Sequence, residues 1–199
     1  MAEEIEAKWL DINPEEVEKK LIDLGAKKEF DTNYRIRVFD YPDLRLNSDH
    51  SWLRLRDEGD KVTLTFKKRL GVKADGSNDD GMKEHEVVVS DFEETAEILL
   101  LVGLVQKYYE EKRRIRYRYQ DIEYDIDFYP GLDPYLEIET VSWKRVDEGA
   151  KLLGLNSDEK VILTNSQLFK KKGIDMLDYS EFRFSGLVKR EQKLDNRSE

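Results

Sequence analysis

From about residue 27 to residue 128 the chain alternates apolar and charged positions in short runs, broken by turn signals at "YPD" (41–43), "DEGD" (57–60) and "ADGSNDDG" (74–81). Period-two alternation between such breaks predicts antiparallel hairpins. Further strands are expected at "EEIEAKWL" (3–10) and "YLEIET" (135–140). Three segments change to helical spacing. In "INPEEVEKKLIDLG" Asn13 is a cap, Pro14 takes the first helical position, and Val17, Leu21 and Leu24 form a stripe ending at Gly25. "DFEETAEILLLVG" has Asp91 as cap and Gly103 as stop, and "SWKRVDEGAKLLG" starts on Ser142 and ends on Gly154. The remainder reads as short helical pieces. With no repeat and no linker, residues 1–185 are expected to form one domain, with 186–199 a solvated tail.

Neighbouring side chains on a strand point to opposite faces, so parity sorts them. Arg54 and Arg56 oppose Leu53 and Leu55; Thr63, Thr65 and Lys67 oppose Val62, Leu64 and Phe66. Glu84 and Glu86 share a face, which leaves His85 facing the helix layer in a structural role. Lys112, Arg114, Arg116 and Arg118 oppose Ile115, Tyr117 and Tyr119. Glu123, Asp125 and Asp127 oppose Ile122, Tyr124, Ile126 and Phe128, and Glu137 and Glu139 oppose Leu136 and Ile138. At the start of the chain, Glu4, Glu6 and Lys8 oppose Ile5, Ala7 and Trp9.

A sheet with one wet face shows such alternation, but it would interleave signs, because cross-strand pairing favours opposite charges. Here like charges repeat. Two of them about 7 Å apart on one face cost about 0.6 kcal/mol in water and about 2.4 kcal/mol at an effective dielectric near 20. The grouping makes chemical sense if the charged face is concave and shared by a metal and a polyanion. Paired carboxylates are hard ligands for Mg2+ or Mn2+, while clustered Arg and Lys neutralise phosphates. A sheet whose polar face points inward must close into a barrel, with helices over its apolar outside.

Composition narrows the partners. The 199 residues carry a net charge of −10, which argues against duplex DNA but leaves room for a local basic pocket. Without cysteine there is no disulfide and no thiolate metal site, consistent with a reducing compartment. No signal-peptide core or membrane-spanning apolar run is visible, so a cytoplasmic protein without membrane contact is expected. An exposed barrel edge or outer apolar patch could support a homodimer.

The ordered set Glu4-x-Glu6-x-Lys8, "LRLR" (Arg54, Arg56), "TLTFK" (Lys67), "EHE" (Glu84, Glu86), "KRR" (Lys112, Arg114), "DIDF" (Asp127) and "YLEIE" (Glu137, Glu139) resembles the CYTH superfamily of triphosphate tunnel metalloenzymes. That family includes class IV adenylyl cyclases, thiamine triphosphatases and inorganic triphosphatases. The resemblance covers roughly residues 3 to 182. It implies an α+β fold: an eight-stranded antiparallel β-barrel forming a tunnel, charged inside, with helices packed outside. It also implies that Lys8, Arg54, Arg56, Lys67, Lys112 and Arg114 bind a triphosphate. Glu4, Glu6, Asp127, Glu137 and Glu139 would hold one or two Mg2+ or Mn2+ ions, and Arg116 and Arg118 would serve as salt-bridge partners.

The expected reaction is metal-dependent hydrolysis of inorganic triphosphate or of an organic or nucleoside triphosphate. Glu84, Glu86, Lys67 and Lys112 are the candidates for activating the attacking water. One alternative is an adenylyl cyclase that makes cAMP and pyrophosphate from ATP; the His-Phe pair often found before the opening signature of such members is absent. The other is a non-catalytic polyphosphate- or nucleotide-binding module, which the full set of carboxylates disfavours.

Overall fold

A computed structural model of the chain describes residues 5–71 and 82–191. Glu4 and the acidic loop at 75–80 fall outside them. Among the described residues, eight strands follow one hydrogen-bonded path: β1 (Ile5–Trp9), β8 (Tyr135–Thr140), β7 (Ile122–Phe128), β6 (Val105–Tyr119), β2 (Lys27–Asp40), β3 (Ser51–Asp57), β4 (Val62–Arg69) and β5 (Met82–Val89). The β1–β8, β8–β7, β7–β6, β2–β3, β3–β4 and β4–β5 pairs are antiparallel. This is the α+β class and the eight-strand antiparallel sheet that the resemblance implies. The chain divides into two compact units, Met1–Asn33 with Lys112–Ile174 and Tyr34–Glu111 with Asp175–Glu199. β2 and β6 each contribute to both.

In the first unit the apolar parity forms the hydrophobic core. Ala7 and Trp9 of β1 form one core with Ile115, Tyr117, Ile122, Tyr124, Ile126, Leu136 and Ile138 of the neighbouring strands. Two helices cover that face. Helix α1 (Pro14–Leu24) contributes Val17 and Leu21, and α4 (Trp143–Leu152) contributes Val146 and Ala150. Both helices begin and end where the local chemistry directs. The Asn13 side chain accepts from the Glu15 and Glu16 amides at 3.0 and 3.3 Å, and Gly25 closes α1 at φ 83°, a conformation costly for a side chain bearing Cβ. Ser142 accepts from the Arg145 amide at 3.3 Å. The short α5 (Asn165–Lys171) starts on a reciprocal Thr164–Gln167 capping box.

The second unit has its own core. Phe39 and Leu55 pack against Phe92 and Ala96 of α3 (Phe92–Leu101), with Leu53, Val62 and Leu64 at the margin. Asp91 caps α3, accepting from the Glu94 amide at 2.8 Å. The single-turn α2 (Arg45–Ser48) is held by buried Asp40, which accepts from the Leu46 and Asn47 amides at 3.0 and 2.9 Å.

Two expectations are corrected. Residues 186–189, expected in a solvated tail, form β10 (Gly186–Lys189), which pairs with β9 (Tyr179–Arg183). The reason is packing: Phe182 is fully buried, its ring 5.7 Å from that of Tyr108 and 5.6 Å from that of Tyr179, and this anchors β9 beside β6. Residues 192–199 lie outside the described set. His85, opposite Phe66, is exposed rather than covered by a helix.

Candidate functional site

Strand register arranges the charged face of the first unit in rows. Lys8 of β1 lies opposite Glu137, Glu137 opposite Asp125, and Asp125 opposite Arg116. One step along, Glu6 faces Glu139, Glu139 faces Glu123, and Glu123 faces Arg118. Asp127 faces Arg114. The second row is the unusual one, because three carboxylates follow one another across three strands where like charges directly opposite destabilise a sheet.

The basic side chains are closely engaged. Lys8 Nζ lies 2.7 Å from Glu137 Oε2 and 2.9 Å from Glu6 Oε1. Lys112 Nζ lies 2.8 Å from Asp127 Oδ2. Arg114 donates Nε and Nη2 to the two Asp127 oxygens at 2.7 and 2.6 Å, reaches Glu137 Oε1 at 2.8 Å, and ion-pairs with Asp125. Arg116 binds Asp125 in the same two-pronged way, at 2.7 and 2.5 Å, and pairs with Glu123. Arg118 joins Glu29 at 2.6 Å and also Glu123. Arg116 and Arg118 are thus salt-bridge partners.

This network is mostly buried, and burial sets its electrostatics. Lys8 is 4% exposed; burial disfavours its ammonium, but Glu137 and Glu6 outweigh that and hold its pKa above the ordinary lysine value. For Lys112, burial and then the Arg114 charge prevail over Asp127 and Glu137, lowering its pKa to about 8. Burial works against the Glu137 and Asp127 carboxylates too, yet the surrounding cations hold both below the usual range. The Lys112–Asp127 pair is therefore asymmetric. Asp127 is served by two cations and stays ionised, while Lys112 has its ammonium destabilised. Asp125 moves the other way: burial outweighs Arg114 and Arg116 and raises its pKa.

Among the described residues, two groups of carboxylates have ligand atoms within 4.8 Å of one another: Glu6, Glu137 and Glu139, and Glu123, Asp125 and Glu139. Hard oxygen donors at this spacing suit a divalent cation such as Mg2+ or Mn2+, which would relieve the like-charge row. Of the residues expected as ligands, Glu6, Glu137 and Glu139 come together, while Asp127 is taken up by Lys112 and Arg114. Glu123 and Asp125 are the additions. Their parity marks them as members of the charged face, but only the β7–β8 register shows that they neighbour Glu139 and Glu137.

The second unit gathers the other expected residues. Arg54 and Thr65 are opposite one another on β3 and β4, and Thr65 is opposite Glu86 on β5. Lys67 Nζ lies 2.7 Å from Glu84 Oε2. Thr65 Oγ1 donates to Glu86 Oε2 at 2.8 Å, and Arg56 reaches Glu58 at 2.6 Å and Glu86 at 4.0 Å. A cavity of about 430 Å³ in this unit contains none of these residues. Its arginines are already committed: Arg35 to Asp57 at 2.6 Å, Arg37 to Glu93, and Arg183 to Glu181 at 2.5 Å.

Comparison with known proteins bears on the fold. Among solved structures the fold is similar to a protein of Pyrococcus horikoshii OT3, with 24% identity, TM-score 0.67, and coverage of 83% of this chain and 98% of that one. It is also similar to a candidate adenylate cyclase from Vibrio parahaemolyticus, with 13% identity, TM-score 0.70 and coverage of 85% and 98%. A third is an adenylyl cyclase candidate from Hippeastrum described as having a dominant triphosphatase activity, with 18% identity, TM-score 0.59 and coverage of 86% and 96%. No curated protein matches the chain. The CYTH domain family matches residues 2–164, and the chain belongs to it. Among the described residues no helix is long and apolar enough to cross a membrane.

Proposed function

We propose that this protein is a divalent-cation-dependent triphosphate hydrolase acting on inorganic triphosphate or on an organic or nucleoside triphosphate. The observation that carries the reading is the row Glu6–Glu139–Glu123 beside the buried Lys8 and Lys112 and the partly buried Arg114. A fold does not retain so costly a concentration of charge for stability, since replacing a buried ion network with apolar residues is often neutral or stabilising. The activity described for the Hippeastrum neighbour supports the same choice.

Mg2+ or Mn2+ bound by Glu6, Glu137 and Glu139 would supply Lewis-acid charge to phosphate oxygens. Lys8, Lys112 and Arg114 neutralise phosphate charge in the first unit, and Arg54, Arg56 and Lys67 have that role in the second. In hydrolysis the water oxygen bonds to the terminal phosphorus as the bridging P–O bond breaks. The bond electrons leave with the bridging oxygen. The water proton passes to Glu84 or Glu86, or to whichever of Lys67 and Lys112 is neutral and so not serving as a phosphate cation.

The test is incubation with tripolyphosphate, ATP, GTP and thiamine triphosphate under Mg2+ or Mn2+, with orthophosphate separated from cAMP. Orthophosphate release that EDTA abolishes is expected. Glu6→Gln and Glu139→Gln should each lower it by about 100-fold or more, because each removes a charged donor from the metal set. Full activity in both variants would sink the site assignment. Accumulation of cAMP would make the protein a cyclase, and tight binding without product a binding module.

A further inference from the structure

Between β7 and β8 the chain reverses through Tyr129-Pro130-Gly131-Leu132. The Leu132 amide donates to Tyr129 O at 3.1 Å, and Gly131 sits at φ 86°, as a type II turn with proline second and glycine third requires. The reversal lays two buried rings against each other. Tyr129 and Tyr135 are 7% and 1% exposed, with centroids 6.0 Å apart and planes 8° from parallel. Each ring carries an ammonium over it: Lys112 Nζ is 5.1 Å from the Tyr129 centroid and Lys8 Nζ 6.0 Å from that of Tyr135. The Tyr135 hydroxyl is tied to Asn165 Oδ1 at 2.9 Å, which fixes the second ring from α5.

We infer that the Tyr129–Tyr135 stack is a positioning device that seats the Lys8 and Lys112 ammoniums and thereby sets affinity for a triphosphate; this rests on the function proposed above. A lysine head is a strongly hydrated point charge on a flexible stem, unlike the rigid arginine fork. Carboxylates already draw each head, Glu137 and Glu6 for Lys8 and Asp127 for Lys112. The face of an aromatic ring supplies attraction from a further direction without neutralising the charge. Each lysine head therefore keeps its place for an incoming polyanion. The two rings, stacked on each other, cannot move independently.

The test is calorimetric titration of tripolyphosphate, in EDTA so that no turnover occurs, into the full chain and four variants. Tyr129→Leu and Tyr135→Leu should weaken binding about 3- to 10-fold, the range of one cation–π contact, while Tyr129→Phe and Tyr135→Phe stay within about twofold. In turnover assays the Leu variants should raise KM more than they lower kcat. If a Leu variant fails to fold, stepwise fluorination of a phenylalanine placed at 129 is decisive, since it keeps the ring's shape and drains its face of negative charge; affinity should then fall with each fluorine. Leu variants that bind as wild type, Phe variants as weak as Leu, or no fluorine trend would overturn the seat while leaving the hydrolase reading intact. Wild-type protein that binds no tripolyphosphate in EDTA yet releases orthophosphate under Mg2+ would overturn the seat alone, and protein that does neither would overturn both.

Discussion

Arg114 shows what a single side chain does in this protein. Its guanidinium serves Asp125, Asp127 and Glu137 together, and all three carboxylates are buried. Removing it strands negative charge with no water to solvate it, so Arg114→Ala should cost about 3–5 kcal/mol in urea unfolding of the metal-free protein. A loss below about 1 kcal/mol would mean that the cluster relaxes or hydrates in its absence. At this scale much of the site is legible in the order of the amino acids. Parity alone places Lys8, Arg54, Arg56, Lys67, Lys112, Arg114, Glu137 and Glu139 on one kind of face. What parity cannot give is the neighbour across the strand. Glu123 and Asp125 stand out as charged-face residues, yet their nearness to Glu139 depends on which strand lies beside β7 and in which register. Asp127 looks equivalent to them, and only the positions of Lys112 and Arg114 separate it.

At the scale of elements, the fit of α4 on the first unit's sheet turns on one glycine. A Cβ added at Gly149 would stand 3.1 Å from the Tyr124 hydroxyl and 3.3 Å from Ile122. The same hydroxyl donates to the Gly149 carbonyl at 3.1 Å, so it cannot yield without losing that bond. Gly149→Ala gains helix propensity but overpacks this contact, and a net destabilisation of about 1–3 kcal/mol is expected by thermal or urea unfolding. A more stable variant would show that α4 has room to lift. The sequence marks α1, α3 and α4 well, because caps, stripes and stop glycines act locally. It does not mark β9 and β10. Each is only a few residues long, and their order comes from Phe182 packing against Tyr108, a contact far along the chain.

For the whole molecule, the two cores are separate in composition but not in chain. Leu21 is fully buried in one and Leu55 in the other, and β2 and β6 run through both units. Leu21→Ala and Leu55→Ala should each cost about 2–5 kcal/mol. Because continuous strands are shared, both variants should shift one common unfolding transition monitored by circular dichroism. Two resolved transitions, each moved by one variant, would show that the strands can break at the unit boundary. The division itself leaves no trace in the sequence: each unit is built from two distant stretches, and no linker composition separates them.

The pairing of β1 with β8, Ile5 opposite Thr140, also matters while the chain is being made. β1 leaves the ribosome well before β8, with Ile5, Ala7 and Trp9 on one side and its charges on the other, and at that point its partner strand does not yet exist. At typical synthesis speeds of about 5–20 residues per second, that wait is on the order of 10 s. Through all of it an apolar strand edge is unpaired and open to other nascent chains. Slow translation or high expression should therefore tax the yield of this protein more than that of one whose first strand pairs with its second.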